Sequence, residues 1–190
     1  MSASTRQLPR DIRLHVLVMR CQTGDERAFD ALLSEFGHRT LAYIRGFAGD
    51  DADDVQQELW LHVFQRISTL ADPGAFRTWL FRATRNRVID WLRRAKRERE
   101  LLDDAPLRVE STDVATSNPM TDAGFIDPEE LDAALGKIPP PQREVLLLRY
   151  RDDLSYADIA LVVGCPLGTV RTRLHHGRKR LQELLKETDQ

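Results

Sequence analysis

The chain has 190 residues, 42% of them hydrophobic and 31% charged, with a formal net charge of −2. This is the composition of a globular protein, and no apolar run approaches the roughly 18 residues that a membrane span needs. The two cysteines, Cys21 and Cys165, are far apart and form neither a CxxC pair nor a Cys/His cluster, which argues against a disulfide framework or a structural metal. No apolar stretch of signal-peptide type begins the chain, so we expect a cytoplasmic location.

The first half of the chain has helical periodicity almost throughout. From Ile12 to about Lys96, apolar residues recur at spacings of three and four, as in Phe29, Leu32, Leu33. No run of alternating β-branched residues interrupts this pattern, so no sheet is expected. The sequence therefore predicts a compact helical bundle over residues 1–97.

An acidic segment, DDADDVQQE at positions 50–58, runs directly into an apolar stretch. Its early acids favour a helix N-terminus, and Asp54, Gln57 and Glu58 fall on neighbouring positions of one helix face. Two interpretations remain open. The acids can simply stabilise a solvent-exposed helix N-terminus, or they can form a docking surface for a basic partner.

The next helical stretch, positions 76–94, interleaves aromatic residues with arginines and contains only Asp90 as an acid. Such arginines can follow a phosphate backbone, and an exposed aromatic ring can stack on an unpaired base. Phe81 and Trp91 could equally belong to the core. The polar candidates for nucleic-acid contact are Arg82, Arg85, Asn86, Arg93 and Arg94.

Between residues 98 and 127, acids mix with Ser, Thr, Pro and Gly and the helical periodicity fades, which predicts a flexible acidic linker. Helical patterning resumes at Glu129, and the last residue of the Pro139–Pro141 run can occupy the first turn of the next helix. The predicted fold class is all-α. Two small helical domains, 1–97 and 128–190, are joined by the linker.

The second domain contains a helix-turn-helix pattern. Ser155 and Asp158 resemble a capping box, Gly164 can end the short helix that follows, and a longer helix runs from about Val170. In such a motif the second helix lies in the major groove, and its N-terminal residues touch base edges. The candidates for base contact are Arg171, Thr172, Arg173, His175 and His176. Those for phosphate contact are Arg178, Lys179 and Arg180.

The adjacent histidines of this helix do not suit a metal site. His175 and His176 point about 100° apart on a helix, which is wrong for a closed tetrahedral site. We expect no metal and no cofactor.

Three stretches resemble the extracytoplasmic-function (ECF) σ factors of bacterial RNA polymerase, within the σ70 family. Asp51–Glu58 is similar to the family's core-binding motif, Phe76–Arg94 to its Phe-x-x-Trp-Leu stretch, and Leu154–Arg178 to its region 4 segment. They occur in the family's order and spacing. The resemblance implies a σ factor, not an enzyme, that binds core polymerase, recognises −35 and −10 promoter elements and promotes strand opening.

By this resemblance, region 2 (1–97) would bind core polymerase and the −10 element, and region 4 (128–190) the −35 element. The polymerase contacts would be the β′ clamp helices and the β flap, with promoter DNA bound as duplex and as melted single strand. The β′ contacts would be Asp53, Asp54, Gln57 and Glu58. The loop Leu70–Arg77 and the following helix would hold the melted −10 element through Phe76, Arg77, Trp79, Phe81, Arg82 and Asn86. Arg171, Thr172, Arg173, His175 and His176 would read the −35 element, and Arg85, Arg93, Arg94, Arg178, Lys179 and Arg180 would contact phosphates.

The departures from the family pattern are mild. Gln56-Gln57 replaces Val-Gln, Ala83-Thr84 replaces Ile-Ala, and the histidine pair lies where the family varies, so the promoter sequence cannot be carried over.

The linker would thread toward the active-site and RNA-exit channels of the polymerase. Whether an anti-σ factor binds this chain is left open.

Three other functions compete with this interpretation. A stand-alone helix-turn-helix regulator would bind duplex DNA without polymerase, but it leaves the acidic motif and the basic aromatic helix unexplained. An enzyme acting on nucleic acid needs a catalytic constellation, and neither HExxH nor a phosphate-binding loop occurs. An anti-σ factor should lack two DNA-reading faces.

Overall fold

The computed structural model describes residues 10–102 and 128–188, and within these ranges every regular element is a helix. The predicted all-α class is confirmed. The chain divides into two compact units, residues 1–97 and 98–190. None of the described helices is long and apolar enough to cross a membrane.

The first unit is built from helices joined by short turns. Its α-helices are α1 (Arg10–Gln22), α2 (Glu26–Ala48), α3 (Ala52–Arg66) and α4 (Phe76–Leu102), with short 3₁₀ helices at Gly49–Asp51, Ile67–Thr69 and Pro73–Ala75. Asp25 caps α2 because its carboxylate accepts the Ala28 N–H at 3.1 Å. Arg20 donates to the same carboxylate and lowers the pKa of Asp25.

The core of the first unit is aromatic and aliphatic. Phe36 of α2 meets Phe76 of α4 edge to face, with ring centroids 5.5 Å apart. Each fully buried side chain of this size contributes about 1.5–3 kcal/mol relative to exposure. The largest fully buried side chains of this unit are Val18, Leu32, Phe36, Ile44, Leu59, Phe76, Leu80 and Phe81. Leu32 and Phe36 in α2, and Phe76 and Leu80 in α4, keep a helical spacing of four.

The end of α4 differs from the prediction. The linker was expected to begin at residue 98, but α4 continues through Leu102. Residues 97–102 are RERELL, all good helix formers without Gly or Pro, so local propensity favours continuing the helix. The rest of the predicted linker, 103–127, lies outside the described residues.

The second unit consists of α5 (Pro128–Gly136), α6 (Pro140–Tyr150), α7 (Tyr156–Val163) and α8 (Leu167–Thr188). Helices α6 and α8 approach closely at Gly177. A Cβ there would lie 3.0 Å from Leu146 Cδ1, closer than the ~3.5–4.0 Å of ordinary carbon contacts. The buried face of α8 includes Val170 and Leu174, so the opposite side of this helix is left to solvent.

Candidate polymerase and nucleic-acid interfaces

The acidic segment forms the N-terminal turns of α3. Asp53 and Asp54 lie in its first turn and both are exposed, with 74% of the Asp53 side chain accessible. Asp53 Oδ1 is 3.7 Å from Arg45 Nη2 of α2. Gln57, one turn after Asp53, is also exposed. These three side chains remain available to a partner.

An apolar groove of about 400 Å³ lies between α2 and α3 beside these polar residues. Leu61 and Phe64 are exposed to 56% and 60%, and the Trp60 indole N–H has no hydrogen-bond partner among the described residues. The Gln56 amide donates to Gly37 O at 2.8 Å and joins the two helices. The groove, here called the α2–α3 groove, is lined by Phe29, Leu33, Asp53, Gln56, Gln57, Trp60, Leu61 and Phe64.

The sequence interpretation missed this groove, although a signal for it exists. Val55, Leu59 and Val63 form the buried stripe of α3. A second apolar set, Leu61 and Phe64, lies outside that stripe. Apolar residues on two separate faces of one helix indicate that the second face meets something else.

Glu58 and Arg94, predicted for two different partners, are paired with each other. The two guanidinium nitrogens Nη1 and Nη2 of Arg94 donate to Oε1 and Oε2 of Glu58 at 3.0 and 2.9 Å. The Arg94 guanidinium is the main cause of the lowered pKa of Glu58. This ion pair joins α3 to α4. The polymerase contact of Glu58 and the phosphate contact of Arg94 stay predictions.

Helix α4 presents one polar face outward. Trp79, Arg82 and Asn86 follow one another at spacings of three and four, which places them on one side of a helix, and Arg93 lies two turns further along that side. Arg82, Asn86 and Arg93 are exposed. We call these four residues the α4 outward face. Asp90 lies 3.7 Å from Arg93 and partly offsets its charge.

Trp79 is half-buried at the edge of this face. Its ring lies nearly parallel to that of His62 of α3, with centroids 6.4 Å apart and an interplanar angle of 17°. Burial is the largest cause of the lowered pKa of His62, followed by the positive charges of Arg87 and Arg66. His62 is therefore neutral beside Trp79 at neutral pH.

Three of the six predicted −10 residues do not lie on this face. Phe76 and Phe81 have 0% exposure and belong to the core, because they fall on the buried side of α4. Arg77 projects from the side of the helix opposite Asn86 and lies against α1, with Nη2 3.9 Å from Asp11 Oδ1. Arg85, predicted to contact phosphate, is half-buried about 100° round the helix from Asn86.

The loop before α4 is shorter than predicted. The loop was expected over Leu70–Arg77, but α4 begins at Phe76, so the connection comprises residues 70–75, here called the α3–α4 loop. Asp72 caps its short 3₁₀ helix by accepting the Gly74 N–H at 2.8 Å.

The predicted helix-turn-helix is formed by α7 and α8. Ser155 caps α7 by accepting the Asp158 N–H, while the Asp158 carboxylate accepts from the Ser155 hydroxyl. Gly164 ends the helix with φ +67°, the left-handed conformation that glycine adopts without strain. Helix α8 then begins at Leu167, three residues earlier than predicted.

The N-terminal half of α8 exposes four of the five predicted base-contacting residues: Arg171, Thr172, His175 and His176. The Thr172 hydroxyl donates to Gly168 O at 3.0 Å, which leaves its oxygen as an acceptor. Arg173 is the exception. It is half-buried and its Nη1 lies 3.8 Å from Cys165 Sγ, so it faces the turn before α8 rather than the outward side.

The predicted phosphate-contacting residues Arg178, Lys179 and Arg180 are all exposed. Arg180 Nη1 is 3.6 Å from Glu183 Oε2. The rings of His175 and His176 lie 5.4 Å apart at 71°. In the described part of the chain, no group of three or more His, Cys, Asp or Glu side chains could hold a metal ion.

Each of the two units contains a stretch that matches a known protein family. Residues 32–98 match the Sigma-70 region 2 family and residues 129–181 match the family described as Sigma-70, region 4. The chain is 34% identical to the RNA polymerase sigma-H factor of Pseudomonas aeruginosa, an alignment that covers 90% of this chain and 95% of the relative. It is 31% identical to the ECF RNA polymerase sigma-E factor of Haemophilus influenzae, covering 87% and 92%.

Solved structures show the same architecture. The sigma factor RpoE of Bartonella quintana, in complex with the anti-sigma factor NepR, matches with a TM-score of 0.67 at 29% identity, covering 83% of this chain and 96% of that one. CnrH, in complex with the cytosolic domain of CnrY, matches with a TM-score of 0.61 at 25% identity, covering 92% and 97%. With helical regions 2 and 4 in the same order as these relatives, the chain belongs to the ECF σ factors of the σ70 family, the RNA polymerase subunits that recognise promoters and initiate transcription.

Proposed function

We propose that this σ factor docks on core polymerase through the α2–α3 groove and its polar rim. The groove combines exposed Leu61 and Phe64 with the carboxylate of Asp53, and Asp54 is exposed in the same first turn of α3. This combination suits a helix carrying apolar and basic side chains, and the family resemblance points to the β′ clamp helices. Glu58 acts indirectly, because its pairing with Arg94 fixes α3 against α4.

The α4 outward face and the α3–α4 loop bind the melted −10 element in this proposal. Arg82 and Arg93 supply positive charge for phosphates, and Asn86 supplies both donors and acceptors for a base edge. Trp79 offers a ring at the edge of the face on which an unpaired base can stack. Phe76 and Phe81 support the face from within the core.

Helix α8 reads the −35 element as duplex. Arg171, His175 and Arg178 follow one another at helical spacing along one flank, while Thr172, His176 and Lys179 follow on the adjoining flank. Arg171 can donate a bidentate pair to guanine. Arg178, Lys179 and Arg180 are placed for phosphates, which fix the position of the helix without reading sequence. The second unit also contacts the β flap.

The solved relatives RpoE and CnrH are complexes with NepR and CnrY, the former named as an anti-sigma factor. We propose that an anti-σ factor also binds this chain, and that this anti-σ factor occupies the exposed apolar α2–α3 groove.

The chain works with polymerase in the cytoplasm as a binding subunit and catalyses no reaction itself.

The observation that carries the proposal is the presence of two different exposed basic faces, one with a tryptophan at its edge on α4 and one on the second helix of a helix-turn-helix. The test is transcription by bacterial core polymerase from a pool of promoter fragments randomised at −35 and −10. The full chain should enrich one consensus in both elements. The free chain should bind the same fragments weakly, because two small faces joined by the linker expected from the sequence have no fixed spacing before docking.

Two outcomes would contradict the proposal. Tight, sequence-specific binding by the free chain, with no stimulation of core polymerase, would favour the stand-alone regulator. Enrichment of a consensus in the upstream element alone would remove the role assigned to α4. Arg82→Ala with Asn86→Ala is the informative variant, and Arg13→Ala with Gln65→Ala, both exposed positions outside the proposed faces, is the matched control.

A further inference from the structure

Gln22, the last residue of α1, reaches across to the segment between α3 and α4. Its amide nitrogen Nε2 donates to two backbone carbonyls, Ile67 O at 3.1 Å and Leu70 O at 2.7 Å. The side chain is half-buried at this contact. A carboxamide NH₂ has two N–H donors, so one side chain satisfies both oxygens.

The two oxygens lie where the chain leaves α3. Ile67 is the C-cap residue of α3 and is buried, and Leu70 follows the Ile67–Thr69 3₁₀ helix with extended backbone, φ −72° and ψ 109°. Carbonyls at the end of an α-helix lack partners within that α-helix, and Ile67 O also accepts from the Leu70 N–H of the short 3₁₀ helix. Gln22 donates to the carbonyls at both ends of the segment 67–70. It therefore fixes the direction in which the α3–α4 loop leaves α3.

The bonds within the loop itself are local. Leu70 N donates to Ile67 O at 3.2 Å, Ala75 N donates to Asp72 O at 3.0 Å, and the Asp72 carboxylate accepts from Gly74 N. Contacts between close sequence neighbours set the shape of a loop but not its placement against another helix. The bonds from Gln22, 45 and 48 residues away in sequence, can set that placement.

We propose that Gln22 is a positioning residue for −10 recognition. It holds the α3–α4 loop in register with Trp79, Arg82 and Asn86, so that loop and helix present one surface to the melted strand. This inference rests on the proposed function of the α4 outward face. Gln22 itself touches no DNA.

The test compares Gln22→Glu with Gln22→Met in the full chain bound to core polymerase. Glutamate keeps the length of glutamine but removes both donors and places a carboxylate against two carbonyl oxygens. Methionine removes the donors without adding charge and keeps the apolar stem. Gln65→Glu, an exposed position on α3, is the control for the added charge.

Transcription is measured from promoters that carry each of the four bases at one −10 position. The readout is the ratio between the best and the worst base, on normal templates and on templates melted in advance. Two lost hydrogen bonds should reduce this ratio about tenfold for both Gln22 variants. Polymerase affinity and preference in the −35 element should stay unchanged. The reduced ratio should persist on the pre-melted templates, because the displaced loop affects reading of the open strand.

A purely structural role would give a different result: both variants would melt at lower temperature, but their −10 ratios would equal that of the wild type. That outcome overturns the proposal. If the wild-type chain itself shows no −10 preference with core polymerase, the proposed function of α4 has failed, and the two failures are distinguished by that measurement alone.

Discussion

Helices α4 and α8 look alike in sequence, since both are long and rich in arginine, but they expose their charges differently. On α4, Arg94 is bound to Glu58, Arg77 lies against α1, and Arg85 is half-buried. On α8, only Arg173 among the predicted contact residues is drawn toward the interior. A basic sequence is therefore not equivalent to a basic surface.

The difference follows from how much of each helix is buried. Helix α4 buries Phe76, Leu80, Phe81 and Val88 on a broad side, so a narrow face is left for Arg82 and Asn86, while Arg93 lies further along, where neighbouring residues are exposed too. Helix α8 buries a single stripe through Val170 and Leu174, so its polar residues spread over both flanks. An unpaired base can stack on an aromatic ring such as that of Trp79, and the major groove admits a whole α-helix.

The largest expected effect tests the assignment of the α4 aromatics. Phe81→Ala should lower the free energy of unfolding by about 3–5 kcal/mol, because it empties a fully buried site. Phe64→Ala, at a 60% exposed position, should change it little. Urea denaturation followed by circular dichroism measures both. Equal effects would mean that Phe81 is not part of the core.

The next effect separates two neighbouring arginines of α8. Arg171→Ala should lose about 1–3 kcal/mol of discrimination at one base pair of the −35 element, as expected for a bidentate base contact. Arg173→Ala should keep the base preference of the wild type, since its guanidinium faces Cys165. Competition binding of the polymerase complex to promoters changed at each −35 position distinguishes them. A preference altered by Arg173→Ala instead would reverse their roles.

A smaller effect distinguishes two of the acids of α3, Asp54 and Glu58. Glu58→Lys places a cation against Arg94, so it should cost stability of about 1 kcal/mol, the size of an exposed ion pair. Asp54→Lys should leave stability unchanged and weaken association with core polymerase. Thermal unfolding and co-purification with polymerase are measured for both. Normal association of Asp54→Lys would remove this acid from the docking surface.

The smallest effect is the pH dependence contributed by His62. Its pKa in the folded chain lies below the ordinary value of 6.5, so the unfolded chain binds the proton more readily. Stability from this group is complete above about pH 6.5 and is lost as the pH falls toward the lowered pKa. His62→Gln should flatten that part of the stability curve. A steeper acid loss in the variant would contradict the assigned direction.

The sequence predicted features that depend on neighbours along the chain. The Ser155 cap, the Gly164 helix end and the alternation of buried and exposed residues are local: residue type places the first two, and periodicity places the third. The same periodicity placed Arg171 and His175 on the exposed side of α8. The periodicity of α4 also indicates which side of that helix is buried. Phe76 and Phe81 fall on that side, although the resemblance had assigned them to DNA.

Contacts between distant residues could not be predicted. Glu58 and Arg94 are 36 residues apart, and nothing in either local pattern indicates that they meet. The α2–α3 groove depends on how two helices pack, since Phe29 and Leu33 come from one helix and Phe64 from the other. The contact of Gln22 with Leu70 is of the same kind.

Permanganate reactivity of unpaired thymines, on normal and pre-melted promoters, tests most directly whether α4 binds open DNA and α8 binds duplex. Trp79→Ala should form the initial complex but open the normal promoter poorly, because an unpaired base can stack on the ring only after the strands separate. The defect should shrink on the pre-melted template. Arg171→Ala should instead reduce occupancy of both templates. Wild-type opening by Trp79→Ala would contradict the division of labour between the two helices.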